Sequence, residues 1–407
     1  MVEIFIQTVV ALLIGCFLGI FTGLTPGVHI NLVSLIILSL APGLTAYLTP
    51  FAIASGIVAM SIVHTFLDFV PSVYLGAPDA DKALSALPGH KLLLDGRGYD
   101  AIKLSVTGAF FSLLLTIVIL PFLIFSVPKI FSFLQPHMGW ILLAVVLFMI
   151  FRAGSFNKIF WSFSIFLISG IFGLIVFSFP DFKEPLFPML SGLFGVSMLL
   201  TSLNERVSIP PQRTVSSTYI SKKDLLKTSA TATFSGSLVS IFPGLGPAQA
   251  AIIGSQIYKK CSEPEIFIML TGGVGTVSMA MALVTLYTIS KARNGSIVVV
   301  QELLKGIGIS ELLLFILIAL IAASIGIVLS LFIAKIFSKM ITKVNYKMLC
   351  ISVISFISML VFYFSGFLGL FVLLIGTAIG ILPATVKVGR NNAMGVLLMP
   401  IIMYFLL

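Results

Sequence analysis

The chain has 407 residues, of which 59% are hydrophobic and only 9% are charged, and its mean hydropathy is +1.18. Soluble globular proteins carry about 25% charged residues, so lipid rather than water must cover most of this surface. Residues 4–67 contain no charged side chain, and about 20 apolar residues suffice for one crossing. The composition therefore excludes a soluble globular protein and predicts an all-α polytopic membrane protein. The net charge of +10 is typical of basic cytoplasmic loops and predicts no nucleic-acid partner.

The first apolar stretch, residues 4–40, is interrupted by Gly23-Leu24-Thr25-Pro26-Gly27. No signal-peptide features precede it, so we expect it to be retained. The piece after the break, 28–40, is about 20 Å long, too short for a hydrocarbon core of about 30 Å. The stretch is therefore predicted to be a re-entrant hairpin. The sequence leaves open that residues 4–24 cross fully, in which case the repeats described below are parallel.

Five apolar runs follow this hairpin and are expected to cross the bilayer. They lie near residues 51–70, 104–125, 138–151, 159–177 and 186–200. The charged segment between the first two runs is interpreted as a cytoplasmic loop with an interfacial helix, or alternatively as a gate along the solute path. The candidate gate residues are Ser72, Asp79 and Asp81.

The same pattern recurs after a polar cytoplasmic linker at 204–225. Residues 228–258 form a second uncharged stretch, broken by Phe242-Pro243-Gly244-Leu245-Gly246-Pro247. Further apolar runs lie near residues 265–290, 312–334, 348–364, 367–386 and 393–407. The chain is thus predicted to comprise two membrane repeats, 1–203 and 226–407, each a broken Pro-Gly hairpin followed by about five transmembrane helices.

A ladder of small residues leads into each break. One constant shift along the chain superimposes Gly15, Gly19, Gly23 and Gly27 on Ala232, Gly236, Ser240 and Gly244. Small residues at every fourth position line one helix face and let another backbone approach closely. The sequence leaves open whether this face forms a homodimer seam or an internal contact.

The basic residues predict the orientation. With the N-terminus outside and five crossings per half, most of the 24 Lys and Arg residues lie in cytoplasmic loops of the plasma membrane, as the positive-inside rule requires. Because five is odd, the second repeat is expected to be inverted relative to the first. The basic residues left outside are Lys129, Lys183, Lys291, Arg293 and Lys305.

Each Pro-Gly break leaves backbone N–H groups unpaired at the start of a half-helix, where the helix dipole favours an anion. In lipid these groups must find a partner, which is a bound solute or else water, Thr25 or a neighbouring helix. Interrupted segments in matching halves are typical of a transporter's binding site. The predicted solute-binding residues are Thr25, Pro26, Gly27, His29, Asn31, Pro243, Gly244, Gly246 and Gln249.

His64 and Asp68 lie one turn apart on the apolar run after the first hairpin. Ionisable groups at membrane depth are costly and usually functional, so these two are candidates for coupling to H⁺ or Na⁺. Asp68 lies near the end of the run, where it can alternatively reach the interface. No metal or other cofactor is predicted.

Taken together, the motifs resemble the large permease subunit of the tripartite tricarboxylate transporters, the TctA family. Besides the two Pro-Gly motifs, segments 73–78, 83–90 and 94–98 follow the order of the family's motifs, and 191–196 is similar to its Gly-Leu-Phe-Gly motif. The family's Pro-Glu-x-x-Asn-Asn-Ala stretch is replaced here by 271–276. The resemblance implies a secondary transporter coupled to Na⁺ or H⁺. It also implies a small membrane subunit and an extracytoplasmic binding protein as partners.

Three functions remain to be compared. The leading hypothesis is secondary transport of an anionic organic solute, such as a carboxylate, by alternating access. The second is a translocase for polyprenyl phosphate or another anionic lipid, whose tail suits very apolar walls. An intramembrane enzyme is the alternative of another class, but the sequence lacks Gly-x-Ser-x-Gly, His-Glu-x-x-His and paired membrane aspartates. We therefore do not expect an enzyme.

Overall fold

The regular elements of the computed structural model are helices. It describes residues 2–25, 28, 30–75, 86–180, 182, 185–204, 209–215, 218–242, 245–341 and 346–407. The helices of the first half are α1 (Val2–Leu24), α2 (Ile30–Leu44), α3 (Pro50–Leu67), α4 (Phe69–Tyr74), α5 (Ala86–Leu94), α6 (Gly98–Val118), α7 (Leu120–Leu134), α8 (Met138–Phe151), α9 (Phe156–Phe177), α10 (Leu186–Leu190) and α11 (Ser197–Asn204). Those of the second half are α12 (Lys222–Ile241), α13 (Pro247–Ile257), α14 (Pro264–Ile289), α15 (Gly295–Leu304), α16 (Ile309–Met340), α17 (Tyr346–Thr385) and α18 (Gly395–Leu406). A π-helical turn, Ser191–Val196, joins α10 to α11.

The described chain contains 8 helical segments long and apolar enough to cross a bilayer. They are Val2–Leu24, Pro50–Tyr74, Gly98–Val118, Leu120–Phe151, Phe156–Phe177, Pro264–Ile289, Ile309–Met340 and Cys350–Thr385. The predicted all-α polytopic architecture is therefore confirmed.

Two helix boundaries differ from those expected, and a third lies where it was predicted. The helix after the first break runs to Leu44 rather than to residue 40, and it contains Pro42 in its last turn. The run 104–125 is divided at Ile119, where a proline in the first turn of α7 starts a new helix. The runs 348–364 and 367–386 are two helices, numbered together as α17, that meet at Gly366, whose non-helical φ of 63° favours glycine.

The small-residue ladder of α1 makes an internal contact with α3. A Cβ atom added to Gly15 would clash with the carbonyl oxygen of Gly56, and one at Gly19 would lie 2.7 Å from that of Met60. Contacts advance along both helices together, so α1 and α3 run in the same direction. The ladder thus brings two backbones together within one chain, as small residues do in membrane helices.

The second half repeats this packing in the same register. Gly273 lies against Ala232, and Gly236 lies against Val277. These four positions are related to the α1–α3 contacts by the shift that superimposes the two Pro-Gly breaks. The sequence similarity between the halves therefore extends to how α12 packs on α14.

The centre of the molecule consists of α3, continued by α4, and of α14. In the most apolar 18 residues of these two segments, 94% and 89% of the residues are buried, against 28% for α1. Each packs along a helix of the other half. The rings of Phe51 in α3 and Phe315 in α16 stack at 5.1 Å, and Tyr74 in α4 shares a hydrogen bond of 2.6 Å with Ser338 of α16. Likewise α14 packs on α6. A second set of helices, α8 to α11 with α17 and α18, packs mainly on itself.

The linker between the halves packs on the turn before α6. Gln212 donates to the carbonyl oxygen of Leu93 at 2.9 Å and accepts from the Gly98 amide at 3.0 Å. Arg97 donates to Glu265 of α14 at 2.9 Å and to Thr218 at 2.9 Å. This network fixes the starts of α6 and α14 at the same end of the molecule.

Both ends of the second broken stretch are joined by a polar cluster. Tyr258, at the end of α13, donates to Asp224 in the first turn of α12 at 2.6 Å, and Lys260 binds the other carboxylate oxygen at 2.6 Å. The hydrogen bond to Asp224, then burial, raises the pKa of Tyr258 from 10.0 to about 12. The bond's contribution to stability is therefore complete below pH 10.0 and is lost as the pH rises towards about 12.

Asp224→Asn is expected to return the pKa of Tyr258 towards that of an ordinary tyrosine, because the amide no longer favours the protonated phenol. Titration of phenolate absorbance in the wild type, in the variant and in the matching Tyr258→Phe chains isolates this one group. Exposed Asp95→Asn is the control and should titrate like the wild type. Identical curves for Asp224→Asn and the wild type would contradict the assignment.

Candidate functional site

A strip of buried polar residues runs along α3 beside the end of α1. Nδ1 of His64 lies 3.1 Å from Oγ1 of Thr22, and the hydroxyl groups of Thr65 and Thr276 lie 3.3 Å apart. Asp68 ends α3 and is 5% exposed. The sequence-predicted coupling residues His64 and Asp68 are thus both inside the protein, and Asp68 does not reach its surface.

Ser72 continues the strip on α4. Its side chain is fully buried, its amide donates to the Asp68 carbonyl oxygen at 3.3 Å, and its hydroxyl group has no hydrogen-bond partner within the described chain. Buried polar groups are nearly always hydrogen-bonded, so this hydroxyl is available to a water or solute that reaches the strip.

The first break is held by contacts on both sides. The amide of Thr25 donates to Phe21 and its carbonyl oxygen accepts from Val28, each at 3.1 Å. Beyond the break, Oδ1 of Asn31 accepts from the Ser296 amide at the start of α15, at 3.1 Å. Asn31 therefore joins the start of α2 to the start of a second short helix.

The second break is followed by a self-capped helix. Gly246 precedes α13, and its amide donates to Oε1 of Gln249 at 2.9 Å. Gln249 is fully buried, and none of the described residues accepts from its Nε2. It borders a cavity of about 290 Å³ between α8 and α13, whose other lining side chains are apolar. Oε1 of Gln249 thus caps α13, while its Nε2 can still donate hydrogen bonds to a ligand or water.

Several predicted site residues lie outside the described part of the chain, so their predictions stay predictions. They are Pro26, Gly27, His29, Asp79, Asp81, Pro243 and Gly244.

Arg293 was not among the predicted site residues. The structure places it next to the start of α15, the helix whose Ser296 amide is bound by Asn31. It lies in the turn between α14 and α15, directly before Asn294, whose Oδ1 caps α15 through the Ile297 amide at 2.9 Å. Burial lowers the pKa of its guanidinium, because a charge out of water is disfavoured. The available sequence signal is an arginine directly before an Asn-Gly-Ser helix start, in a loop that belongs to the predicted set with few basic residues.

The sequence was compared with known proteins and families. No solved structure matches the chain. An uncharacterized protein of Methanocaldococcus jannaschii is 32% identical over 406 residues, which cover 97% of this chain and 98% of the relative. The model of the tripartite tricarboxylate transporter TctA family matches residues 9–395. With nearly its whole length matched, this multi-pass membrane protein belongs to the tripartite tricarboxylate transporter TctA family.

Proposed function

We propose that the protein is a secondary active transporter of an anionic organic solute, of the carboxylate or tricarboxylate kind, that works by alternating access. The anion is held by the half-helix starts that follow the two Pro-Gly motifs. The family is one of transporter permeases. The observation that carries the mechanism is the opposite direction of the two equivalent central helices, α3 and α14.

That opposite direction follows from two contacts at one end of the molecule. Tyr74 ends α4 and lies beside Gly98, so α6 starts where the segment α3–α4 finishes. Glu265 at the start of α14 pairs with Arg97 just before α6. Hence α14 starts where α3–α4 ends. Because α1 packs on α3 as α12 packs on α14, two equivalent units point in opposite directions, which supports an inverted repeat.

The re-entrant form of the hairpins is supported by where their ends lie. The Thr49 amide before α3 donates to Gln7 near the start of α1 at 2.9 Å, so α2 returns the chain to the side where α1 begins. Gly23 near the end of α1 lies against Leu67, and the segment continues to Tyr74, about 10 Å further at 1.5 Å per residue. The first hairpin therefore stops short of the far end of its neighbour.

Coupling and movement complete the proposal. His64 and Asp68 bind the driving H⁺ or Na⁺ beside the first hairpin, and the self-packed set around α17 serves as the frame against which the central helices move. The N-terminus lies outside the plasma membrane. A small membrane subunit, an extracytoplasmic binding protein and a second copy of the chain are the proposed partners.

Uptake into proteoliposomes tests the function. Labelled citrate, succinate and lactate are offered with and without inward Na⁺ or H⁺ gradients, and counterflow with millimolar internal solute replaces delivery by a binding protein. We expect at least one carboxylate to exchange above the level of empty vesicles and to accumulate under one gradient. Failure of all three under every condition would refute carboxylate transport.

The cavity between α8 and α13 favours one second candidate, an anionic-lipid translocase. Its apolar wall beside Gln249 suits an acyl or prenyl tail whose phosphate binds at the α13 start. Movement of a fluorescent polyprenyl phosphate between leaflets, without carboxylate exchange, would select this function.

A further inference from the structure

One edge of the Arg293 guanidinium is set up for a bidentate ligand. This edge consists of Nε and Nη2, which are both buried, and no described residue accepts a hydrogen bond from either. The guanidinium lies 5.5 Å from the centroid of the Phe131 ring, which packs against the group. Parallel N–H donors of one guanidinium edge match the two oxygens of a carboxylate.

The surroundings of Arg293 add to its positive potential. Asn294 and Ser296 form the start of α15, where the helix dipole is positive. The Ser296 amide is bound by Asn31, two residues into α2 after the first Pro-Gly break. The guanidinium is half-buried, no described residue forms an ion pair with it, and this burial lowers its pKa. An anion at this position would remove the imbalance.

We propose that Arg293 binds a carboxylate group of the transported solute through its Nε–Nη2 edge. This inference rests on the proposed transport function and deepens it by naming a solute contact. Phe131 and the α15 start position the guanidinium, and Asn31 links it to the first hairpin. The two N–H donors of this edge match the oxygens of a carboxylate and of a phosphate alike; the carboxylate is assigned because the proposed solute is one, and the experiment below separates the two.

Arg293→Lys tests this geometry, because lysine keeps the charge and lacks the two-donor edge. We expect the KM for citrate or succinate counterflow to rise roughly ten- to hundredfold, the effect of losing a charge-assisted hydrogen bond, with a smaller change in maximal rate. Citrate should raise the melting temperature of the wild type and not of the variant. Lys291→Gln removes an exposed charge from the same turn and should behave as the wild type.

The outcomes separate this inference from the function on which it rests. If the wild type neither exchanges nor is stabilised by citrate, succinate or inorganic phosphate, transport of an anion is refuted and the Arg293 contact with it. If the wild type responds and Arg293→Lys and Arg293→Gln keep its KM, only the contact is refuted. Stronger stabilisation by phosphate than by either carboxylate also overturns the carboxylate assignment. The melting temperature of each Arg293 variant without ligand shows whether that variant folds. If one of them does not, the KM of the other tests the contact.

Discussion

Asp68→Asn is expected to abolish gradient-driven accumulation of solute while leaving counterflow exchange measurable. The carboxylate is 5% exposed and lies one turn from His64, which contacts Thr22 of the first hairpin. Asparagine keeps the size of the side chain and removes the negative charge that attracts H⁺ or Na⁺. Losing charge-assisted binding of about 1.5–3 kcal/mol corresponds to a loss of roughly ten- to hundredfold in ion affinity.

Accumulation and counterflow are measured in the same proteoliposome preparation, with imposed Na⁺ and H⁺ gradients applied separately. Asp95→Asn is the matched control, because it makes the same chemical change on an exposed turn. His64→Gln then distinguishes the coupling ion: it should impair H⁺-driven accumulation more than Na⁺-driven accumulation, since an amide does not titrate. Full accumulation by Asp68→Asn under both gradients would show that the polar strip of α3 has no coupling role.

The sequence predicts the positions of the helices well because apolar length determines them. The run expected at 265–290 is α14 at Pro264–Ile289, and the run expected at 159–177 is α9 at Phe156–Phe177. Boundaries shift where a proline acts locally, as at Ile119. Such a boundary depends on the backbone geometry of neighbouring turns rather than on hydrophobicity, so the length of an apolar run does not predict it.

The candidate site is less predictable, since its contacts join distant parts of the chain. Asn31 is predicted as a solute-binding residue from its place after a break, and that role stays a prediction; its partner Ser296 belongs to the other half. Arg293 reads as one more basic residue in a short loop, and its burial depends on Phe131 of α7. Gln249 shows that a local contact can also be missed. It was predicted to bind the solute, but its Oε1 accepts a hydrogen bond from the Gly246 amide three residues earlier.

Gly15→Ala is expected to destabilise the protein, although alanine is the better helix former. The added Cβ would clash with the backbone carbonyl oxygen of Gly56, which no side-chain rotation can relieve. Overpacking of this kind costs about 1–3 kcal/mol, which exceeds the gain in helix propensity of up to about 1 kcal/mol. The measurement is thermal unfolding of the purified protein in one detergent.

Gly43→Ala supplies the matched control within the same hairpin. Gly43 is exposed on α2, and an added Cβ would meet nothing within 4 Å, so only the propensity gain of up to about 1 kcal/mol remains. Gly273→Ala, which meets Ser112 and Ala232 in the second half, should resemble Gly15→Ala. Equal melting temperatures for Gly15→Ala and Gly43→Ala would mean that α1 and α3 do not pack closely at Gly15. The shared register of the two halves would then be lost, and with it the support for two opposed hairpins around one solute.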